Sequence, residues 1–119
     1  MTTLIVGATP NPERYAYLAT KSLLKHNHDI VLFGIKKGQI DDYEILHDFK
    51  GIEDIHTVTM YVGPKHQSSY YQDIINLKPK RVIFNPGTEN PEFYKLLQDA
   101  GIEIEIACTL VMLSAGTYS

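Results

Sequence analysis

Short, unbroken apolar runs recur along the chain, and most of them end at glycine or asparagine. Leu4-Ile5-Val6 leads into Gly7-Ala8-Thr9-Pro10, the pattern of a buried strand followed by a tight loop. Ile30-Val31-Leu32-Phe33 holds no polar residue, as expected of a strand covered on both faces. Thr57 to Val62 is β-prone and stops at Gly63-Pro64, predicting a third strand. Arg81-Val82-Ile83-Phe84-Asn85 and Ile102 to Ile106 supply a fourth and a fifth.

Between these runs the apolar positions change to helical spacing. Asn11-Pro12-Glu13 reads as a helix start, with Asn as N-cap, Pro at the first position and an acid in the first turn. This helix is predicted to reach about Lys25, with Ala16, Ala19, Leu23 and Leu24 inward and Asn27 as a left-handed cap. Tyr70, Tyr71, Ile74 and Ile75 mark a second helix within Gln67 to Leu77, stopped by Lys78-Pro79. Asn90-Pro91-Glu92 repeats the first start, Phe93, Leu96, Leu97 and Ala100 form its apolar face, and Gly101 ends it. Shared capping chemistry explains that echo without a duplication. The tail is apolar from Cys108 to Leu113 and predicts a last helix packed on the sheet. Lys36 to Asp54 is polar and rich in Asp, and reads as a loop with one helical turn around Tyr43 to His47.

Five strands separated by helix-length segments predict an α/β, Rossmann-like three-layer sandwich. Its five-stranded parallel sheet would carry helices on both faces, joined by right-handed crossovers. No linker or low-complexity tract interrupts residues 1–119, which are expected to form one domain.

Composition narrows the function. The chain has 119 residues, 44% of them apolar and 21% charged, enough to bury a core. With 11 Lys and Arg against 14 Asp and Glu the formal charge is −3. No basic patch stands out, so neither nucleic acid nor an anionic membrane surface is an expected partner. The single cysteine, Cys108, excludes an intrachain disulfide and a cysteine-based zinc cluster and points to the cytoplasm. Met1 to Thr3 leave no room for a signal peptide before the first apolar run. No apolar run approaches the roughly 20 residues that cross a bilayer. The 5 histidines fall in separate segments and form no metal-binding pattern.

In an open parallel sheet the ligand site lies at the carboxyl ends of the strands, usually beside the first strand–helix turn. Here that turn is Gly7-Ala8-Thr9-Pro10-Asn11. Gly7 permits a sharp turn, Thr9 offers a hydroxyl, the helix start is positive, and Arg14 can clamp a phosphate through two N–H groups. The dinucleotide fingerprint is incomplete, because its further glycines would fall at Thr9 and Pro12. After the second strand the chain reads Gly34-Ile35-Lys36-Lys37 where an NAD site carries an acid. Lysines there favour a ribose phosphate, hence NADP or coenzyme A. An NADP-binding oxidoreductase-like domain is therefore one alternative. A ligand-free interaction protein is another, although the loss of Gly7 or Arg14 that would mark it has not occurred. In Asn85-Pro86-Gly87-Thr88-Glu89, Asn85 or Glu89 is placed to face the pocket, while Glu89 also suits the start of the next helix. Cys108, beside Leu110 and Val111, reads as a packed and inert thiol.

The stretch IVGATPNPERYAYLATKSLLKHNHDIVLFGIKKGQI resembles the opening of the small stand-alone CoA-binding proteins. GIEDIHTVTMYVGP is similar to their third strand, VIFNPGTENPEF to the fourth strand and its Gly loop, and DAGIEIEIACTLVML to the closing strand with a Cys shortly after. The resemblance implies a Rossmann-like fold shared with the CoA-binding domain of the succinyl-CoA synthetase alpha subunit. Gly7, Ala8, Thr9 and Arg14 would meet the phosphates, together with Asn11 of the same turn. Lys36 and Lys37 would lie at the ribose phosphate or adenine end, in place of the family's more usual Asn-Pro turn. Thr59, Met60, Tyr61 and Pro64 would line the strand-end side. The synthetases work through a histidine phosphorylated in a separate domain, for which this chain leaves no room. The resemblance thus implies a non-catalytic binding or sensing module for coenzyme A or an acyl-CoA. It leaves open a homodimer or a partner protein.

Overall fold

Residues 1–119 are described in a computed structural model. β1 (Thr2–Val6) leads to α1 (Tyr15–Lys25) and β2 (Asp29–Phe33), then to the short strands β3 (Gln39–Ile40) and β4 (Tyr43–Leu46). β5 (Ile55–Met60) is followed by 3-10 turns at Pro64–His66 and Ser68–Tyr70 and by α2 (Tyr71–Leu77). β6 (Arg81–Phe84), α3 (Pro91–Asp99), β7 (Glu103–Ile106) and α4 (Thr109–Ala115) complete the chain. The strand order is β3-β4-β2-β1-β5-β6-β7, and only β3 and β4 pair antiparallel. No helix is long and apolar enough to cross a membrane.

The fold is the expected Rossmann-like sandwich, with 7 strands where the apolar runs predict five. The added pair, β3 and β4, lies in the polar segment read as a loop, and the helical turn expected at Tyr43 to His47 is strand instead. β4 touches β2 through only two positions, Leu32 opposite Ile45 and Phe33 opposite Leu46. Two residues are too few to leave a periodic signal. The hairpin turns at Asp41, whose φ of +52° suits an Asp in a tight turn. Lys21 of α1 holds the Asp41 carboxylate at 2.9 and 3.0 Å.

α1 also starts later than expected. The Asn11 side chain accepts from the Glu13 amide at 3.0 Å, and the Arg14 amide donates to the Asn11 carbonyl. Asn11 thus closes a turn, a role its side chain serves as readily as capping. Arg14 becomes the N-cap residue. The second Asn-Pro-Glu behaves as predicted, with the Asn90 side chain accepting from Phe93 N. Asn27 takes the left-handed conformation at the end of α1, with φ +64°. On α3, Phe93 and Leu97 are buried, whereas Leu96 and Ala100 face outward.

Strand alternation sends neighbouring side chains to opposite faces of the sheet. Leu4, Val6, Val58, Met60, Val82 and Phe84 meet Ile74 of α2 and Phe93 and Leu97 of α3. Ile5, Leu32 and Ile83 meet Ala16 and Leu23 of α1 and Met112 and Leu113 of α4. At the amino ends of the strands the buried Arg81 donates to Thr57 Oγ1 (2.9 Å), Glu105 Oε1 (2.8 Å) and the Tyr118 carbonyl. Its guanidinium also stacks on the Tyr118 ring at 4.7 Å, while the Tyr118 hydroxyl pairs with Thr3. His28 meets the edge of the same ring at 4.9 Å.

At the carboxyl end, β1 and β2 come so close that a Cβ on Gly34 would sit 2.6 Å from the Ala8 carbonyl oxygen. Gly34→Ala is expected to lower stability by about 1–3 kcal/mol, as overpacking does, with no loss if the two backbones can separate freely. Denaturant unfolding measures it. A second expectation concerns acid. His28 sits below its ordinary value of 6.5 mainly through burial, then through His26, the N-terminus and Arg81. His56 is lowered by burial, then by Arg81 and Lys80. A lowered histidine binds fewer protons folded than unfolded, so its contribution is complete above the unfolded value and is lost as pH falls below it. Melting temperature should fall between about pH 7.5 and about pH 5.5, and fall less in a His28→Gln/His56→Gln variant. Equal slopes in the two proteins would exclude these histidines as the source.

Candidate functional site

Because β2 and β5 flank β1, the chain reverses direction across the sheet beside the end of β1. A crevice opens at such a point. Here it encloses about 1250 Å³, above the roughly 300–1,000 Å³ usual for small-molecule sites. Its walls come from the loops after β1, β2, β5, β6 and β7.

The end of β1 is tied to β2 through backbone hydrogen bonds. Gly7 N–H and Ala8 N–H both donate to the Phe33 carbonyl, at 2.9 and 3.0 Å. Gly7 has φ +99°, and a Cβ there would lie 2.9 Å from the Tyr61 carbonyl carbon. Only glycine fits this wedge between β2 and β5. With those amides occupied, the polar groups left for a ligand are Thr9, Arg14 and the first-turn amides of α1, which a helix leaves without intrahelical acceptors. Thr9 Oγ1 accepts from the Asn11 amide at 3.2 Å and keeps its own proton to donate.

Of the residues singled out from sequence, Gly7, Ala8, Thr9, Arg14, Lys36 and Tyr61 line the cavity. Asn11, Lys37 and Pro64 stand outside its lining, and Thr59 and Met60 are fully buried beneath it. Thr59 Oγ1 bonds Thr109 Oγ1 (2.8 Å) and accepts from Asn85 Nδ2 (2.7 Å), which also donates to the Met60 carbonyl. Asn85 lines the cavity, yet its amide is spent: Oδ1 takes the Thr109 amide at 2.8 Å. It ties β6 to β5 and to the start of α4. Glu89 turns back onto the Gly87 amide at 2.8 Å and does not line the cavity.

Several lining residues carry no sequence motif. Tyr15 and Ile35 stand across the mouth and are 72% and 80% exposed, an unusual placement for two large apolar side chains. Lys65, His66, Ser68 and Ser69 line the β5 side. The signal that could have found them is position, since they directly follow a strand that neighbours β1. Burial pushes the Tyr61 phenol well above its ordinary range, with the Cys108 thiol the next contributor, so Tyr61 stays a protonated donor. Cys108 is half-buried and lines the cavity at the start of α4.

No aspartate or glutamate lines this cavity, while Arg14, Lys36, Lys65 and His66 do. The chain's two salt bridges, Lys21–Asp41 and Arg81–Glu105, lie elsewhere. In a chain of formal charge −3, Arg14, Lys36 and Lys65 thus share one acid-free cavity, none of them in a salt bridge. Its donors suit a polyanion. No three His, Cys, Asp or Glu side chains are grouped to hold a metal ion.

Among solved structures, the crystal structure of an uncharacterized protein is 53% identical, covers 98% of this chain and 97% of its own, and superposes with a TM-score of 0.96. A hypothetical protein from Pyrococcus horikoshii OT3 is 30% identical over 95% of this chain and 81% of its own, with a TM-score of 0.86. The Thermus thermophilus protein cell-free ID.343, at 19% identity over 98% and 90% of the two chains, shares the fold with a TM-score of 0.87. No curated protein matches. The family model described as a CoA binding domain matches residues 1–114, and the chain belongs to that family.

Proposed function

We propose that the chain binds coenzyme A or an acyl-CoA in this cavity, through the loop from Gly7 to Arg14, as a non-catalytic binding or sensing module. The observation that carries this reading is an acid-free cavity edged by unpaired cations in an acidic chain. Coenzyme A carries a pyrophosphate and a 3′-phosphate, and both need such an environment. Arg14 can grip a phosphate through two N–H groups while the start of α1 faces it with its positive end. Lys36, at the end of β2, is the lysine available to the 3′-phosphate. Tyr15 and Ile35 offer apolar faces to a purine at the mouth.

Length supports the same ligand. From β2 to β7 the cavity crosses the ends of five strands; four spacings of about 4.8 Å make roughly 19 Å. That suits an extended molecule, with the nucleotide at the β1–β2 side and the pantetheine arm along β5, β6 and β7.

Calorimetric titration with CoA, dephospho-CoA and NADPH tests the reading. CoA should bind, and more tightly than dephospho-CoA. Arg14→Ala should weaken CoA by about 1–3 kcal/mol, the range for a lost charge-assisted hydrogen bond. Lys36→Met should shrink the difference between CoA and dephospho-CoA. Binding of NADPH without CoA would overturn the proposal in favour of a redox cofactor, and binding of none would leave the family's fold without its ligand.

A further inference from the structure

The segment from Gly34 to Gly38 rests on the loop after β1 at both of its ends. A Cβ on Gly34 would lie 2.6 Å from the Ala8 carbonyl oxygen, and one on Gly38 would lie 3.1 Å from Pro10 Cγ. β4 and the residue after it hold the same two ends. Gly34 N–H donates to the Leu46 carbonyl at 3.0 Å, and the Ile45 amide donates to the Gly38 carbonyl at 2.9 Å. The Gly34 carbonyl accepts from Nδ1 of the His47 ring at 2.6 Å. A carbonyl only accepts, so Nδ1 carries the proton of that bond.

Between the two ends Ile35, Lys36 and Lys37 make no backbone hydrogen bond. Ile35 is 80% exposed at the cavity mouth. A lysine reaches its partner through a flexible four-carbon stem and tolerates a shift of its backbone. Ile35 is short and stiff at χ1, so it meets a ligand only where its backbone sets it. The His47 bond acts at that point. The Gly34 carbonyl belongs to the planar peptide that joins Gly34 to Ile35, and a glycine on the near side offers little resistance to its turning. His47 supplies the one side-chain hydrogen bond that this segment receives.

Taking as its basis the reading of the cavity as a CoA site, we propose that His47 is a positioning residue for the nucleotide: it touches no ligand, and it holds the Ile35 side chain against the purine. His47 does not line the cavity, so its effect passes through the peptide between Gly34 and Ile35. Loss of the bond lets that plane turn and carries the Ile35 side chain off the base, while Arg14, on another loop, stays in place.

Calorimetric titration of the full chain with CoA tests this in His47→Leu, His47→Asn, Ile35→Ser and the double variant Ile35→Ser/His47→Leu. Both residues are exposed, so neither substitution opens the core. His47→Leu and Ile35→Ser should each weaken CoA about 3- to 10-fold, the scale of one hydrogen bond or one partly buried apolar contact. His47→Asn, whose amide nitrogen can stand where Nδ1 stood, should keep most of the affinity. The double variant should bind as Ile35→Ser alone does, because residues that act through one another are not additive. The role is overturned if either single substitution leaves CoA binding unchanged, if His47→Asn loses as much as His47→Leu, or if the two losses add in the double variant. Additive losses would make His47 a support of the fold that acts on the site by some other route. Absence of CoA binding by the unsubstituted protein removes the underlying CoA reading, an outcome distinct from all of these.

Discussion

Everything at the carboxyl edge of the sheet depends on how tightly the end of β1 is wedged between its neighbours. Gly7 lies against the Tyr61 backbone and Gly34 against Ala8, with no room for a Cβ at either place. The Phe33 carbonyl takes both the Gly7 and Ala8 amides. The loop cannot drift outward, so Thr9 and Arg14 are held at the crevice, and the Asn11 turn hands the chain to α1 with Arg14 at its cap. The close approach sets a steric limit and the hydrogen bonds set direction. Together they turn an ordinary strand end into a fixed cavity wall.

The two edges of the sheet are chemically opposite. At the amino edge Arg81 is buried and its charge is met by Glu105, the Thr57 hydroxyl, the Tyr118 carbonyl and the Tyr118 ring. A buried guanidinium supplied with partners in this way binds the end of the chain to the sheet. At the carboxyl edge Arg14, Lys36, Lys65 and His66 make no ion pair with any acid. The paired Arg81 holds the fold, and the basic groups at the carboxyl edge stay unpaired along the cavity. The buried amides of Asn85 and Gln67 stand between these roles, fully bonded themselves while fixing the loops that carry the cavity wall.

Local signals were readable where a residue acts through its own neighbours in the chain. The five long strands, the Asn90 cap and the left-handed Asn27 follow from apolar runs and capping chemistry. Asn11 misled for the same reason, since one side chain can cap a helix or close a turn and local sequence does not separate the two. β3 and β4 escaped because their existence rests on two residue pairs with β2 and a lysine from α1. Gly7, Ala8, Thr9, Arg14 and Lys36, singled out in the sequence, line the cavity. Thr59 and Met60 were placed one layer too high, because strand alternation and the Asn85 amide draw them under the floor.

The sequence by itself therefore determined the layered α/β architecture, the glycine-bearing first loop and the family resemblance, all of which depend on short-range pattern. Tertiary structure alone decided which charges share a cavity. Lys65 and His66 lie some fifty residues from Arg14 in the chain and become its neighbours only because β5 pairs with β1. The exclusion of every acid from that cavity is likewise a property of the assembled sheet edge, where five separate loops meet. Electrostatic fields add across space and not along the chain, so the charge of a site is written by folding.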